Sequence, residues 1–171
     1  MNQAMNPTIE KENRLSSAAN KLNKLPVFIR GFAMSKIFGG LIKYAGHSGI
    51  RFEKLSQHEC IVSLKNKKKV QNHIGGIHAA AMALLAETAT GFVFGMSVPD
   101  SKLTVIKKMN IDYVKRSTGA MRAVATLSDA QISKIKNETK GHMVVTVLIT
   151  DDANIEPIKA EMTWAWTAKR K

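Results

Sequence analysis

The chain has 171 residues, 44% of them apolar, which is enough for one globular domain with a sizeable buried core. Its 26 Lys and Arg against 13 Asp and Glu leave a net charge of +13, which favours anionic partners such as nucleic acid, anionic lipid or the phosphates of coenzyme A, or simply keeps the surface soluble. No apolar run reaches the roughly 18 to 20 residues of a membrane span. The stretch from Met1 to Arg14 is polar, carries Glu10 and Glu12, and does not read as a secretory signal.

Residues 1–48 read as a helical extension. Leu15, Ala18, Leu22 and Leu25 recur at helical spacing until Pro26 interrupts the run. The next segment sets Phe28, Phe32, Ile37, Phe38, Leu41 and Ile42 among Arg30, Lys36 and Lys43. This basic amphipathic pattern fits a helix packed on the main domain as an extra layer; the alternatives are a membrane-surface helix or a lid over a pocket.

Residues 49–171 read as the main domain. Ile50 to Lys65 is strand-like, broken near Ser56, with Cys60, Val62 and Leu64 on one face. Cys60 is the only cysteine, so no internal disulfide forms and a reducing, cytoplasmic setting is expected. Its place in the alternation marks it as a buried thiol rather than a nucleophile. Asn66 to Gln71, with Lys67, Lys68 and Lys69, reads as a loop because three adjacent charges repel one another in a buried element.

A glycine-rich turn follows, Asn72-His73-Ile74-Gly75-Gly76-Ile77-His78, opening a helix over about His78 to Phe94. That helix is apolar on nearly every side and so reads as buried. Beyond Pro99 the period becomes two. Leu103, Val105, Met109, Ile111 and Tyr113 are expected on one face of a long strand, followed by strands over Met121 to Leu127, around Met143 to Ile149, and from Ile158. One buried helix followed by a four-stranded meander implies an antiparallel sheet curled around that helix, an α+β fold.

Between Ile74 and Pro99 the only charged residue is Glu87. A carboxylate on a buried helix costs several kcal/mol unless paired, hydrated or functional. It reads as a general base or nucleophile in a cleft, with pairing to a lysine as the structural alternative. Gly75 and Gly76 allow a tight turn and close ligand approach. The first helix amides, near His78 and Ala79, lack intrahelical partners and form a natural oxyanion site. Asn72 can donate its side-chain amide to the same substrate or hold a water. His78 and Glu87 are nine residues apart, about 900° of rotation and about 13 Å of rise, and so point to opposite sides. Two antiparallel helices side by side can each supply one half of a site, which favours a homodimer or a larger assembly such as a tetramer of dimers.

The stretch Asn72 to Glu87, NHIGGIHAAAMALLAE, resembles the motif of hotdog-fold thioesterases of the phenylacetic-acid-pathway type, N-x-x-G-x-x-H-G-G with an acid further along the helix. It looks closest to an uncharacterised subgroup with His-Ala-Ala in place of His-Gly-Gly. MNIDYVKRSTG, Met109 to Gly119, is similar to the family's central strand, and the resemblance spans about Gly49 to Lys169. It implies a hotdog fold: an antiparallel sheet wrapped around a long central helix, here with extra N-terminal helices. It also implies hydrolysis of an acyl-CoA thioester. Glu87 would take the catalytic position and the Ala79 amide would be the oxyanion donor, while Asn72 and His78 orient the thioester or water. Coenzyme A would enter as part of the substrate, with no cofactor. Lys67, Lys68 and Lys69, or Lys115 and Arg116, are the candidates for its phosphates. Ala79 and Ala80 replace the motif's glycines. Ile106 stands where some members carry a strand hydroxyl, leaving Thr104 as the neighbouring one.

The five histidines show no metal-ligand spacing, and Ser35, Ser97 and Ser117 lack a nucleophile elbow. Trp164 and Trp166 read as core or interface. Two alternatives accompany hydrolysis: an acyl-thioester dehydratase or hydratase, and a non-catalytic acyl-CoA or fatty-acid binding protein. Nucleic-acid binding is disfavoured, because the basic charge is dispersed and no recognition motif is present.

Overall fold

Asn13 opens the first helix of the computed structural model, which describes residues 12–169. The polar start through residue 11 lies outside the described residues. Helix α1 spans Arg14–Asn23, and its cap is a buried crossing point. Asn13 Oδ1 accepts from Ser16 N at 2.7 Å, while Nδ2 donates to the carbonyls of Gly95 at 2.8 Å and Val98 at 2.6 Å. One side chain thus caps α1 and ties it to the far end of the central helix. After Pro26 come α2, Val27–Leu41, and α3, Lys43–Ser48. Helix α2 packs on the first strand through Met34 and Phe38 and leaves its other face exposed.

Strands β1, Arg51–Leu55, and β2, Glu59–Leu64, follow, with Cys60, Val62 and Leu64 buried as expected. Burial, and then the neighbouring Glu59 charge, push the Cys60 thiol above its usual range, so it stays protonated and unreactive. The lysine loop contains one 3-10 turn, Lys68–Val70. Helix α4, Ala79–Gly95, then packs against β2, the remaining strands β3, Lys102–Tyr113; β4, Met121–Thr126; β5, Gly141–Asp151; and β6, Ile158–Ala168. The six strands form one antiparallel sheet in the order β1-β2-β4-β5-β6-β3.

Three features differ from the sequence expectation. First, only β4, β5 and β6 form a meander; β3 crosses the sheet to pair with β6 at the opposite edge from β1. Second, the alternation of β3 is broken by a bulge between Ile106 and Lys108. Cross-strand partners share a face. Thr104 and Ile106 pair with Trp166 and Trp164, and Met109, Ile111 and Tyr113 pair with Met162, Ala160 and Ile158. The extra residue therefore inverts the register, placing Leu103 and Val105 opposite Met109, Ile111 and Tyr113 rather than beside them. Third, a short helix α5, Asp129–Asn137, stands between β4 and β5. Its start is a capping box in which Ser128 and Gln131 satisfy each other's backbone amides. Lys102 Nζ donates to the carbonyls of Ile135, Lys136 and Glu138 at its C-terminal end.

The core is continuous from the N-terminal helices to the sheet. Phe38 of α2, Phe52 of β1 and Phe92 of α4 meet with ring centroids 4.6 to 5.3 Å apart. Phe52→Ala is expected to lower the unfolding free energy by about 3–5 kcal/mol, read from urea denaturation. An effect near zero would mean that the extension is not anchored there.

Candidate active site

The turn before α4 is built by Asn72. Its Oδ1 accepts from the amides of Ile74 and Gly76, both at 3.1 Å, and its backbone N–H donates to Gly76 O at 2.8 Å. Gly75 adopts φ +80°, a left-handed conformation that favours glycine. The Asn72 carbonyl side faces its own loop, so Nδ2 is the part of the side chain suited to a ligand.

His78 is the N-cap of α4. Its Nδ1 accepts from Ala80 N at 3.0 Å, which fixes the ring as a neutral tautomer with its proton on Nε2. The helix accordingly starts at Ala79, one residue later than the sequence suggests. Ala81 and Met82 donate to His78 O, whereas the Ala79 N–H has no acceptor among the described residues. Ala79 is exposed, and its carbonyl accepts from Tyr113 Oη at 3.0 Å. Tyr113, at the end of β3, thus neighbours the helix start, where sequence reasoning placed it only as a strand position. Its hydroxyl is what holds β3 to the helix start.

Lys115 and Arg116 come just after Tyr113 and Val114 and are exposed, as are Lys67, Lys68 and Lys69 ahead of Asn72. Ser117, next to Arg116, has its hydroxyl 3.8 Å from where a Cβ on Gly76 would sit, so the segment after β3 runs beside the Asn72 turn. Lys69 already donates to the His47 carbonyl at the end of α3, so Lys67 and Lys68 are the unengaged pair of that run.

Glu87 lies elsewhere. Eight residues, about 12 Å of rise, separate it from Ala79. It lines a cavity of about 480 Å³. The walls are Thr88, Gly91 and Phe92 of α4, Thr104 and Ile106 of β3, and Trp164 of β6, with Leu15, Leu41 and Ile42 from the N-terminal helices. Gly91 leaves the space that the Trp164 ring fills: a Cβ there would sit 2.7 Å from it. Trp164 itself is core, as expected, with Nε1 donating to Thr90 Oγ1 at 2.9 Å, and it doubles as a cavity wall. Asn72, Gly75, Gly76, His78 and Ala79 are not among the lining residues. Within one chain the candidate residues therefore fall into two separate groups.

The Glu87 carboxylate has no hydrogen-bond or ion-pair partner among the described residues, and burial pushes its pKa above the ordinary carboxylate range. Asp151 is the contrast. Burial raises its pKa too, but the amides of Thr118, Ile155 and Ala153 more than offset that, and it is held low. Asp151 is satisfied structure; Glu87 is an unsatisfied carboxylate facing a cavity, the state expected of a general base.

Beside it, the buried Thr88 hydroxyl also lacks a partner, another residue that the sequence did not single out. Thr88→Val is expected to raise the unfolding free energy by about 1 kcal/mol in ligand-free protein, since it removes an unpaired buried polar group. A loss of stability in urea denaturation would show that the hydroxyl is already satisfied.

Residues 31–166 match the family described as a domain of unknown function, DUF4442. No curated protein matches the chain. A solved structural-genomics protein is 25% identical with a TM-score of 0.70, covering 91% of this chain and 99% of its own. A Pseudomonas aeruginosa protein described as a probable thioesterase gives 0.70 at 20% identity, covering 85% and 97%. A Haemophilus influenzae thioesterase gives 0.60 at 16% identity, covering 73% and 82%. The sheet curled around α4 is the hotdog fold shared with these structures, and the chain belongs to the DUF4442 domain family.

Proposed function

We propose that the protein hydrolyses an acyl-CoA thioester to a carboxylic acid and coenzyme A. The observation that carries this reading is Glu87: unpaired, partly desolvated, and set in the wall of an apolar cavity suited to an acyl chain. Glu87 takes a proton from water as the water oxygen attacks the thioester carbonyl carbon. The Ala79 amide donates to the oxyanion that forms. The C–S bond then breaks, the thiolate leaves and takes up the proton, and Glu87 is again ionised. In this reading Asn72 Nδ2 and His78 Nε2 orient the carbonyl or the water, while Lys67, Lys68, Lys115 and Arg116 attract the coenzyme A phosphates. The thioesterase names of the structures sharing this fold agree with the reading.

The separation of Glu87 from its own helix start supports a site completed by a second subunit, with two α4 helices antiparallel across a two-fold axis. Strand β3 suits such a contact: it ends the sheet, and Leu103, Val105, Met109 and Tyr113 are all exposed on it.

The test is thiol release from a panel of acyl-CoAs, run beside Glu87→Gln. Release abolished in the variant supports hydrolysis at Glu87, and unchanged release refutes it. One observation favours a second reading, a non-catalytic acyl-CoA binding protein. Apolar Ile106 lines the cavity where some of the resembled thioesterases carry a strand hydroxyl, which leaves less to hold an attacking water. Saturable acyl-CoA binding with no thiol release at any chain length would decide for it.

A further inference from the structure

Helix α2 and the start of α3 present an apolar surface that the fold leaves uncovered. Val27 is 77% exposed, Phe28 85% and Phe32 70%, with Ile29 half-exposed beside them. Isolated exposed apolar residues are ordinary, but several large ones on adjoining turns mark an interaction face. The segment's own charge is of one sign. From Asn13 to Phe52 the chain has seven Lys and Arg and no Asp or Glu. Lys24, Lys36 and Lys43 are exposed among the aromatic and aliphatic groups and form no ion pair among the described residues.

We propose that this face docks the protein on an anionic lipid bilayer, Phe28 and Phe32 entering the interfacial region and Lys24, Lys36 and Lys43 meeting lipid headgroups. Aromatic groups interleaved with lysines fit that boundary, where apolar burial and attraction to anionic headgroups act together. A second copy of the chain fits it less well. A two-fold contact through this face would set a purely basic segment against itself with no carboxylate to pair. Leu41 and Ile42 are exposed too, but they line the Glu87 cavity, and Leu41, nine residues beyond Phe32, points to the other side of α2. Docking of this face does not depend on the chemistry at Glu87.

Flotation of the full-length protein with phosphatidylcholine vesicles, with and without phosphatidylglycerol, is the test. Binding is expected to the anionic vesicles, to weaken as salt is raised, and to be far weaker on phosphatidylcholine alone. Combined Phe28→Asp and Phe32→Asp should cut vesicle binding about tenfold or more while leaving helix content and oligomeric mass unchanged. Lys36→Glu, a surface change that any fold tolerates, should cut it about fivefold or more. Equal recovery from both vesicle types, or no recovery from either, overturns the proposal. So does a fall in oligomeric mass in the double aspartate variant, which would assign the face to a second copy.

Discussion

Glu87→Gln is expected to lower acyl-CoA hydrolysis by about 10²–10⁴-fold, the range for removing a general base, while making the folded protein more stable at neutral pH. The two effects have one cause. Glu87 is desolvated without a partner, so its folded-state pKa lies above its unfolded value. Between the two values the native state holds more protons than the unfolded chain. Stability therefore falls as pH rises through that window, and the cost is fully present above the folded pKa. A neutral amide does not incur it. The melting temperature of Glu87→Gln should exceed that of the parent at neutral pH, and the difference should shrink as the solution is acidified and Glu87 takes up its proton. The acid limb of kcat/KM should likewise lie above the ordinary carboxylate value of about 4.3. Differential scanning calorimetry across pH, with thiol release on the same samples, checks all three. A variant that is both inactive and less stable would mean that Glu87 is held by an ion pair in solution and supports the fold instead.

Ala79→Pro is expected to lower turnover by about 10²–10³-fold, the loss typical of one oxyanion donor, with little change in stability. The first position of a helix is where proline fits, because the N–H it removes has no intrahelical acceptor there. In this chain the Ala79 N–H has no acceptor among the described residues. The preceding His78, at φ −65° and ψ 142°, is already in the extended region that a following proline requires. The substitution thus removes one hydrogen at the proposed oxyanion site. Circular dichroism melting should be close to the parent's while kcat falls. If the site is shared, mixing Glu87→Gln with Ala79→Pro and allowing exchange should restore turnover, because one of the two sites in a mixed dimer receives both intact halves. Turnover that stays at the level of the separate variants would place both halves within one subunit.

Much of this was readable along the chain because it depends on near neighbours. The alternation of Cys60, Val62 and Leu64, and of Val145, Val147 and Ile149, gave buried strand faces that the fold keeps. The unbroken apolar run around Glu87 marked α4 as the central helix, and a lone acid on it was visible as an anomaly before any coordinates. Helix α5 went unread: Ser128 and Gln131 have the spacing of a capping box, but only Ile132 and Ile135 give it an apolar face, and so short a repeat does not stand out against the polar residues around it.

What the sequence settled by itself is the strands, the central helix and the chemical oddity of Glu87, since periodicity and charge are local properties. Tertiary structure alone decided that β3 crosses to the far edge, that a bulge at Lys107 reverses its faces, and that Thr88, Thr104, Leu41 and Ile42 gather around Glu87. Those outcomes depend on pairing energies between residues dozens of positions apart, which no local pattern encodes.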